Sequence, residues 1–472
     1  MAATQPLPRK VRLIECFLYS INNVQAQAGI DLRSVISSID IYESIFDNTI
    51  SARLILQESV ALVELLPIVG AEFVRIAFEI DYDFGQGQEQ RQSYTRIVRV
   101  QRLCEQIFPE HEVRNYVLEL ITPEFMNSLS TRISKTYLAK PITTAIREII
   151  EHNLRLDAGK RKVAIEECRG EINVTLANYT PLQAINFFSL IALSKDVQQS
   201  SFFFFETLDQ FYFTSLQTLF NGPVVGSYDV NANAILSQVR PDQEKAFNTI
   251  FSLHQDHTFD VGVDITSGML RSKMISLDIL ARKWQEKTSR YTEAFAKTPH
   301  VDKYPVYPEN FDQTINENVR IFVVPTNAAT ANYGFNKPND SLEKELQVHK
   351  TVLLRNQQMK ALTHLRTRLQ VPGQPRLRAG AIIELRYPSS RLLQSGDVGN
   401  PQASAPQLTT PYHSGKHLVT AVRHNLVQKS LGTMEYRMDI EAVRDALSSP
   451  LFGLPKNATD VDKVTGNWPA GV

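Results

Sequence analysis

The sequence has 472 residues, of which 43% are hydrophobic and 21% charged. This composition is typical of a globular protein with an ample core, and the length predicts roughly three domains. Lysine plus arginine and aspartate plus glutamate both number 50, so the formal net charge is zero. A dedicated nucleic-acid binder usually carries a basic excess, which argues against that class, whereas a neutral chain lacks the self-repulsion that opposes assembly.

The N-terminal residues MAATQPLPRK lack the apolar core of a signal peptide. No run of about 18 or more apolar residues occurs, so we expect no membrane-spanning helix. Cys16, Cys104 and Cys168 are odd in number and far apart, which indicates buried free thiols rather than a disulfide scaffold or a zinc site.

Residues 10–122 read as a run of about five or six strands. Residues 50–56 and 73–82 alternate between apolar and polar positions, the pattern of half-buried antiparallel strands. Further strands are predicted at 11–20, 94–102 and 113–121. This number of strands suits a small closed barrel or sandwich, which hides its edges.

A mixed region follows, with helices predicted at 123–129, 141–154 and 178–194. Pro141 suits the start of the second helix, and Thr180 with Pro181 predicts a capped start of the third. The stretches SFFFFET and QFYFTSL, separated by Leu-Asp, predict a tight hairpin. The first of them reads as a central strand buried on both faces.

Short strands return between 226 and 290, and 297–340 reads as a long irregular excursion rich in Pro, Asn and Tyr. A helix is predicted from about 341, capped by Asp340 or Ser341. The remaining predicted strands are 365–371, 379–388, 415–427 and 434–443. The polar stretch 389–414 reads as a long loop, a feature that is usually functional or disordered.

The predicted fold class is α+β and mainly β, with two β-barrel tube domains flanking or interleaved with a mixed α/β domain. The predicted parts are an N-terminal tail (1–9), a first β-barrel (10–125), a mixed α+β domain (126–225), a second β-barrel (226–290 and 363–447), an insert with a helix (291–362) and a C-terminal arm (448–472). The arm carries Phe452, Leu454 and Trp468, which are candidate partner-binding residues.

Motifs of catalytic or nucleotide-binding sites are missing from the sequence: it contains no GxxxxGK[ST], GxGxxG, GxSxG or HExxH. No catalytic, cofactor-binding or metal-binding residue is therefore assigned. His254 and His257, with nearby acids, could ligate a metal ion, but a polar loop after a helix is the preferred interpretation. His413, His417 and His424 are too widely spaced along a strand to share one ion, and we interpret them as surface or interface residues.

An acidic group and a basic group of residues each allow a second functional interpretation. Glu43, Asp47 and Glu58 could supply the paired carboxylates of a glycan hydrolase, although Asp47-Asn48 is also ordinary turn chemistry. A basic group could contact phosphate or a partner's acids, but the neutral chain favours a solvated or protein-facing surface. That group comprises Arg355, Lys360, Arg366, Arg368, Arg376 and Arg378.

Three stretches together resemble the central hub protein of contractile-tailed bacteriophage baseplates. They are IDIYESIFDNTISARLILQESVALVELLPIVGAEFVRIAFE (39–79), LANYTPLQAINFFSLIALSKDVQQSSFFFFETLDQFYFTSLQTL (176–219), and the closing pair LRAGAIIELRYP and SGKHLVTAVRHNL. A weaker fourth is GMLRSKMISLDILARKWQE (268–286). The related spike proteins of type VI secretion carry the same module at their N-terminus.

The resemblance implies a structural protein of the virion tail baseplate, assembled in the bacterial cytoplasm, and not an enzyme. It implies a homotrimer whose paired β-barrels make a pseudo-sixfold ring. That ring would adapt the sixfold tail tube, or its initiator proteins, to the threefold central spike. Baseplate wedge proteins and the tape-measure protein are further implied partners, with no cofactor, no membrane and no sequence-specific nucleic acid. The alternative is a cell-wall glycan hydrolase of the tail tip that uses paired carboxylates.

Overall fold

The chain folds into a mainly β structure with short helices, as the sequence predicts. A computed structural model describes residues 7–20, 29–59, 62–65, 68–83, 89–107, 113–156, 161–195, 200–230, 250–257, 259–278, 282–308, 311–326, 349–362, 364–387 and 413–449. Within them, no helix is long and apolar enough to span a membrane.

The N-terminal strands follow the period-two pattern of the sequence. They are β1 (Leu7–Tyr19), β2 (Ile30–Asp31), β3 (Ile36–Ser44), β4 (Ser51–Glu58), β5 (Phe73–Asp83), β6 (Glu89–Ile107) and β7 (Arg114–Ile121), with helix α1 (Leu62–Leu65) after β4. In β4 every second residue is buried, because one face of the strand packs on the core while the other faces outward. The strands predicted between 11 and 121 are confirmed.

The mixed region contains four helices and five strands within its described residues. They are α2 (Pro123–Ser130), β8 (Ile133–Pro141), α3 (Ile142–Glu148), β9 (Lys162–Ile165), β10 (Glu171–Tyr179), α4 (Pro181–Ile191), β11 (Phe202–Glu206), β12 (Gln210–Ser215) and α5 (Leu216–Phe220), and a π-helical turn, Ile149–Asn153, extends α3. The predicted cap of α4 is confirmed as a capping box, in which Thr180 and Gln183 each bond the other's backbone N–H.

The hairpin β11–β12 is confirmed, but the prediction that its first strand is central is wrong. The sheet order is β11–β12–β9, so β12 is central and β11 lies at an edge. Strand β11 is nonetheless buried on both faces. Phe202 and Phe204 pack into the core of the mixed region, while Phe203 and Phe205 pack into a second cluster behind it.

The C-terminal half contains the remaining described strands and helices. They are β13 (Val224–Asp229), β14 (Ser252–His257), α6 (Val261–Thr266), β15 (Arg271–Asp278), β16 (Lys283–Arg290), α7 (Tyr291–Phe295), β17 (Ile321–Thr326), α8 (Arg355–Ala361), β18 (Leu365–Pro372), β19 (Ile382–Arg386), β20 (Gly415–Ser430) and β21 (Thr433–Arg444). A 3-10 turn, Phe311–Thr314, and a π-helical turn, Lys350–Leu354, complete the set.

Two sequence interpretations in this half are wrong. The segment around His254 is strand β14, not a loop after a helix, because it pairs with β18 more than a hundred residues later. Residues 321–326 form strand β17 inside the stretch expected to be irregular, because their run of apolar residues pairs with the distant β15. The predicted helix cap at Asp340 or Ser341 lies outside the described residues.

The pairings of the large sheet close into a ring. The ring order is β3–β4–β7–β6–β5–β1–β21–β20 and back to β3, with every pairing antiparallel. The last two strands come from the opposite end of the chain, so that Asp40 of β3 lies beside Asn425 of β20. A ring of strands leaves no free edge among its members, which protects them from pairing with other chains.

The long hairpin β20–β21 also carries a second group of strands, in the order β13–β19–β20–β21–β18–β14. Residues 415–418 of β20 pair with β19, whereas residues 421–427 pair with β3. In β21, residues 433–434 pair with β1 and residues 437–444 pair with β18. One hairpin therefore belongs to both groups of strands.

A separate three-stranded sheet, in the order β16–β15–β17, lies outside the large sheet. The predicted division into two barrels, with the residue ranges given above, remains a prediction. Phe452, Leu454 and Trp468 of the predicted arm lie outside the described residues.

One continuous apolar core joins the two groups of strands. It contains Ile39 and Leu54 from the ring together with Leu369 and Ile383 from the second group. Burial of each such side chain contributes roughly 1.5–3 kcal/mol to folding. A further cluster unites Ile45 of the ring, Phe205 of the mixed region and Leu418 of β20.

Candidate functional site

The main candidate site is a surface, here called the polar face, which lies on the side of the large sheet opposite the core. Aligned positions of seven strands supply it, because side chains alternate between the two faces of each strand. Its residues are Asp40, Tyr42, Arg53, Arg102, Glu119, Arg368, Gln370, Arg423, Asn425, Arg437, Asp439 and Glu441. Their positions follow from the registers of neighbouring strands.

Charges of opposite sign alternate across the polar face. One row runs from β21 to β6 through the aligned residues Arg437, Asn425, Asp40, Arg53, Glu119 and Arg102. A parallel row contains Gln370, Asp439, Arg423 and Tyr42. Both rows cross the hairpin β20–β21, so the polar face extends over the ring and the second group of strands.

Ion pairs connect neighbouring strands of the polar face. Arg423 lies 3.0 Å from Asp40 and 3.3 Å from Asp439, measured between guanidinium nitrogens and carboxylate oxygens. The hydrogen bond to Asp40 raises the pKa of Arg423, which fixes its positive charge. Glu119 lies 3.6 Å from Arg102 and 4.0 Å from Arg53. The face therefore offers charge that is already balanced by close partners.

A groove of about 430 Å³ lies over part of the polar face, between β3 and β14. Tyr42, His254, Arg368 and Asp439 are among the residues that line it. His254 is exposed and lies opposite Arg368 in the pairing of β14 with β18. The side chain of His257 lies outside the described residues. Among the residues that the structure describes, no group of three or more His, Cys, Asp or Glu side chains is placed to hold a metal ion.

Glu43 connects three parts of the fold on the core side of the sheet. Its carboxylate accepts the N–H of Leu208, at the β11–β12 turn, over 2.6 Å and the N–H of Ala379, before β19, over 3.1 Å. The ring nitrogen Nε2 of His424 on β20 lies 3.3 Å away, and His424 Nδ1 contacts the Tyr436 hydroxyl at 2.7 Å. Burial acts to raise the pKa of Glu43, but His424 and the two N–H groups hold it below its usual value.

A second buried carboxylate, Glu206, fixes the β3–β4 turn to the mixed region. Glu206 accepts the N–H of Ile50 over 3.0 Å and lies 2.7 Å from the guanidinium of Arg161. Burial raises the pKa of Glu206 to about 7, although Arg161 and the Ile50 N–H favour the charged form. Asn48 in the same turn bonds the Phe204 carbonyl and Asn186. The β3–β4 turn therefore attaches the ring of strands to the mixed region of the same chain.

The carboxylates considered for hydrolysis do not come together as a pair. Glu43 lies beside the β3–β4 turn, whereas Glu58 is at the far end of β4, about 25 Å away at the rise of a strand. Glycosidase pairs stand roughly 5–10 Å apart. Glu58 is buried and accepts the Leu62 N–H at the start of α1, and Asp47 is exposed in the turn.

The interpretation of His417 and His424 as surface or interface residues is wrong, since both are buried within the chain. Burial and the nearby charge of Arg444 lower the pKa of His417 to about 3, so its ring is neutral. His413 is exposed, as predicted. Their burial was not visible in the sequence because the strands that cover β20 lie far away along the chain.

The predicted basic group divides between several surroundings. Arg366 and Arg368 on β18 pair with Glu441, and the guanidinium of Arg378 stacks over the Tyr212 ring at 4.4 Å. These contacts agree with a protein-facing surface. Cys16 and Cys168 are buried free thiols, as predicted, and burial raises the pKa of both. Cys104 is also a free thiol but is only partly buried, so the prediction of burial is wrong for this residue.

No protein-family model and no curated protein matches the chain. Among solved structures it is similar to the tail protein from Neisseria meningitidis MC58, with 10% identity and a TM-score of 0.47, over 93% of this chain and 97% of that chain. It is also similar to the 43 kDa tail protein of prophage MuSo2 from Shewanella oneidensis, with 9% identity and a TM-score of 0.47, over 92% of this chain and 99% of that chain.

A further neighbour is a component of the E. coli type VI secretion system, with 9% identity and a TM-score of 0.41, over 92% of this chain and 77% of that chain. The structural neighbours therefore include phage tail, baseplate and type VI secretion proteins.

Proposed function

We propose that this chain is a structural hub of a contractile phage tail, and that several copies stand side by side and enclose a channel with their polar faces. The observation that supports the proposal is the polar face, whose paired charges cross seven strands opposite a continuous apolar core. The resemblance of residues 39–79 and 176–219 to baseplate hub proteins points to the same role.

The chemistry of the polar face suits a passage rather than a binding site. Most of these ion pairs are at least partly exposed and contribute only about 0–1 kcal/mol each, although Asp40 beneath Arg423 is buried. Because each charge has a close opposite partner, the face presents little net field to a passing polymer. Nucleic acid in particular is held by unpaired basic residues that neutralise its phosphates, and Arg423, Arg102 and Arg368 all lie beside carboxylates.

The proposed number of copies and the proposed partners rest on the resemblance to baseplate hub proteins. Three copies, each with two β units, would form a pseudo-sixfold ring between the tail tube above and the trimeric spike below. The protein would act in the virion tail without catalytic activity or cofactor. Phe452, Leu454 and Trp468, together with loop residues 389–414, are proposed to make further contacts.

We expect a trimer in solution, either alone or after addition of the spike. Light scattering should then give a mass of about 160 kDa, three times the 53.4 kDa of one chain. A chain that stays monomeric at every concentration, with and without spike, would contradict the proposal.

The hydrolase alternative gains no support from the geometry of Glu43 and Glu58, which are buried and too far apart to act as a pair. Purified protein is expected to release no product from cell-wall glycan. Turnover that disappears on neutralisation of one carboxylate, for example in Glu43→Gln, would favour the alternative.

A further inference from the structure

The outer face of the sheet β16–β15–β17 carries exposed apolar side chains beside an ion pair of Lys273 with Glu286. Trp284, Val323, Ile321 and Leu277 expose 62%, 59%, 42% and 40% of their surface. Leu277 on the central strand lies between Trp284 and Pro325, and the next row places Ile275 beside Val323. These side chains therefore form one continuous patch, here called the tryptophan patch, and contiguous apolar patches on proteins usually mark contact sites.

The opposite face of this sheet is already packed against other apolar residues of the chain. Met274 is buried and packs with Leu353, while Phe322 and Val324 pack against the same cluster. The core of this sheet therefore lies on the opposite face, and the tryptophan patch is a second, separate apolar surface. A second layer on the outer face is needed to remove it from water, and burial of apolar area is favourable by about 25 cal/mol per Å².

The two edges of the sheet differ in a way that favours an added segment. The edge strand β16 carries Glu286, Lys287 and Arg290, and charges of this kind discourage further pairing. The opposite edge strand β17 has the sequence IFVVPT and carries no charge, and Pro325 near its end restricts added pairing to residues 321–324. Among the described residues it pairs with β15 alone. An extended chain could therefore lie along β17 and over the patch.

The C-terminal segment of the same chain begins within reach of this surface. Leu447 and Tyr304 exchange two backbone hydrogen bonds, of 2.7 and 3.0 Å, which fixes where the described chain ends. Tyr307, three residues beyond Tyr304, packs its ring 6.1 Å from that of Tyr291, which directly follows β16. With about 20 Å along β16 to Trp284, the whole route is on the order of 50 Å.

The composition and length of residues 450–472 suit the surface. Trp468 lies 19 positions after Ser449, and an extended chain of that length covers about 60 Å. Val461, Val464 and Trp468 supply apolar side chains. A tethered segment has an effective concentration of about millimolar order, so it binds ahead of the same segment of a second copy at micromolar protein.

We propose that the C-terminal segment of this chain, from about residue 461 onward, packs over the tryptophan patch with Trp468 against Trp284 or Val323. The inference does not depend on the proposed function, since it concerns contacts within one chain. Phe452 and Leu454 lie too close to Ser449 to reach the patch, so they stay available for partner contacts, whereas Trp468 is assigned here to the patch instead of to a partner.

The chain contains two tryptophans, which allows a direct test. The variant Trp468→Phe leaves Trp284 as the only tryptophan in the full chain. Truncation after residue 449 in the same background removes the segment and retains every described residue. We expect acrylamide to quench Trp284 several-fold more strongly in the truncated chain, with a red shift of its emission, while the circular dichroism spectrum stays unchanged.

A second variant separates docking from the mere presence of the segment. Val461→Ser with Val464→Ser in the Trp468→Phe chain should increase quenching toward the truncated value. Equal quenching of Trp284 in the full and truncated chains would overturn the proposal. Protection that appears only at high protein concentration would also overturn it, because the occupant would then be the segment of a second copy.

Discussion

At the residue scale, two buried glutamates hold the parts of the chain together but differ in their surroundings. Glu43 has His424 and two backbone N–H groups at its carboxylate, so its pKa lies below the usual value. Glu206 is equally buried, and burial prevails over its contact with Arg161, so its pKa is raised to about 7. The two residues should therefore make opposite contributions to the pH dependence of stability.

Glu206 provides the pH prediction. A carboxyl whose pKa rises on folding binds more protons in the folded state, so stability is greatest at low pH and falls as pH rises through about 7. Relative to Glu206→Gln, the wild-type chain should lose about 3 kcal/mol of unfolding free energy between about pH 5 and about pH 8. Denaturant unfolding of both proteins across this range measures the difference.

The contribution of Glu43 has the opposite sign, since its folded-state pKa is lowered and its stabilising effect is lost only as pH falls below the ordinary carboxyl range. Substitution of Glu43 would also change the surroundings of the His424 imidazole, which lies 3.3 Å away, so the comparison uses Glu206→Gln alone. A constant difference between wild type and Glu206→Gln would show that Glu206 is ionised throughout.

At the element scale, the end of β18 packs closely against β21. A Cβ atom built on Gly373 would lie 2.1 Å from the ring of Tyr436, and the Gly373 N–H bonds the Tyr436 carbonyl over 3.0 Å. The Tyr436 hydroxyl in turn contacts His424, which lies beside Glu43. The absence of a side chain at Gly373 therefore allows the hairpin β20–β21 to keep its buried polar contacts.

Gly373→Ala should destabilise the protein by roughly 1–3 kcal/mol, because the Tyr436 ring must move out of a packed position. Thermal or denaturant unfolding measures the loss. Gly262→Ala is the control, since a Cβ there would meet only the Asp260 carboxylate oxygen at 3.6 Å in helix α6. That change should be nearly neutral, and an equal effect of the two substitutions would contradict the packing argument.

Local sequence patterns predicted individual helices and strands well, but they did not predict which strands pair with each other. The alternation in β4 and β5 and the Thr180 cap of α4 act between neighbouring residues, so they are visible in the sequence. Strands β14 and β17 were missed because their pairing partners lie far along the chain. The burial of His424 and Glu43 was missed for the same reason.

The polar face was predictable in part, because its local pattern is visible in the sequence but its distant strand pairings are not. The polar positions of β4 were recognisable from the alternation of residues 50–56. The continuation of the polar face through Arg423 and Asp439 depends on the pairing of β3 with β20, more than 370 residues later. Hydrophobic periodicity contains no information about such pairings.

At the scale of the whole molecule, the C-terminal hairpin completes the N-terminal ring. Strand β20 pairs with β3 and β21 pairs with β1, so the ring cannot close until the last described strands have formed. The same hairpin joins the second group of strands, and one apolar core underlies both. The strands that carry the polar face therefore belong to one sheet over one core.

The most direct test of the account is a cryo-electron microscopy map of the assembled protein, alone or with its spike. The account predicts a closed ring of copies in which Asp40, Arg423 and Glu119 face a common central channel. A map in which these residues point outward, or in which the copies enclose no channel, would contradict it.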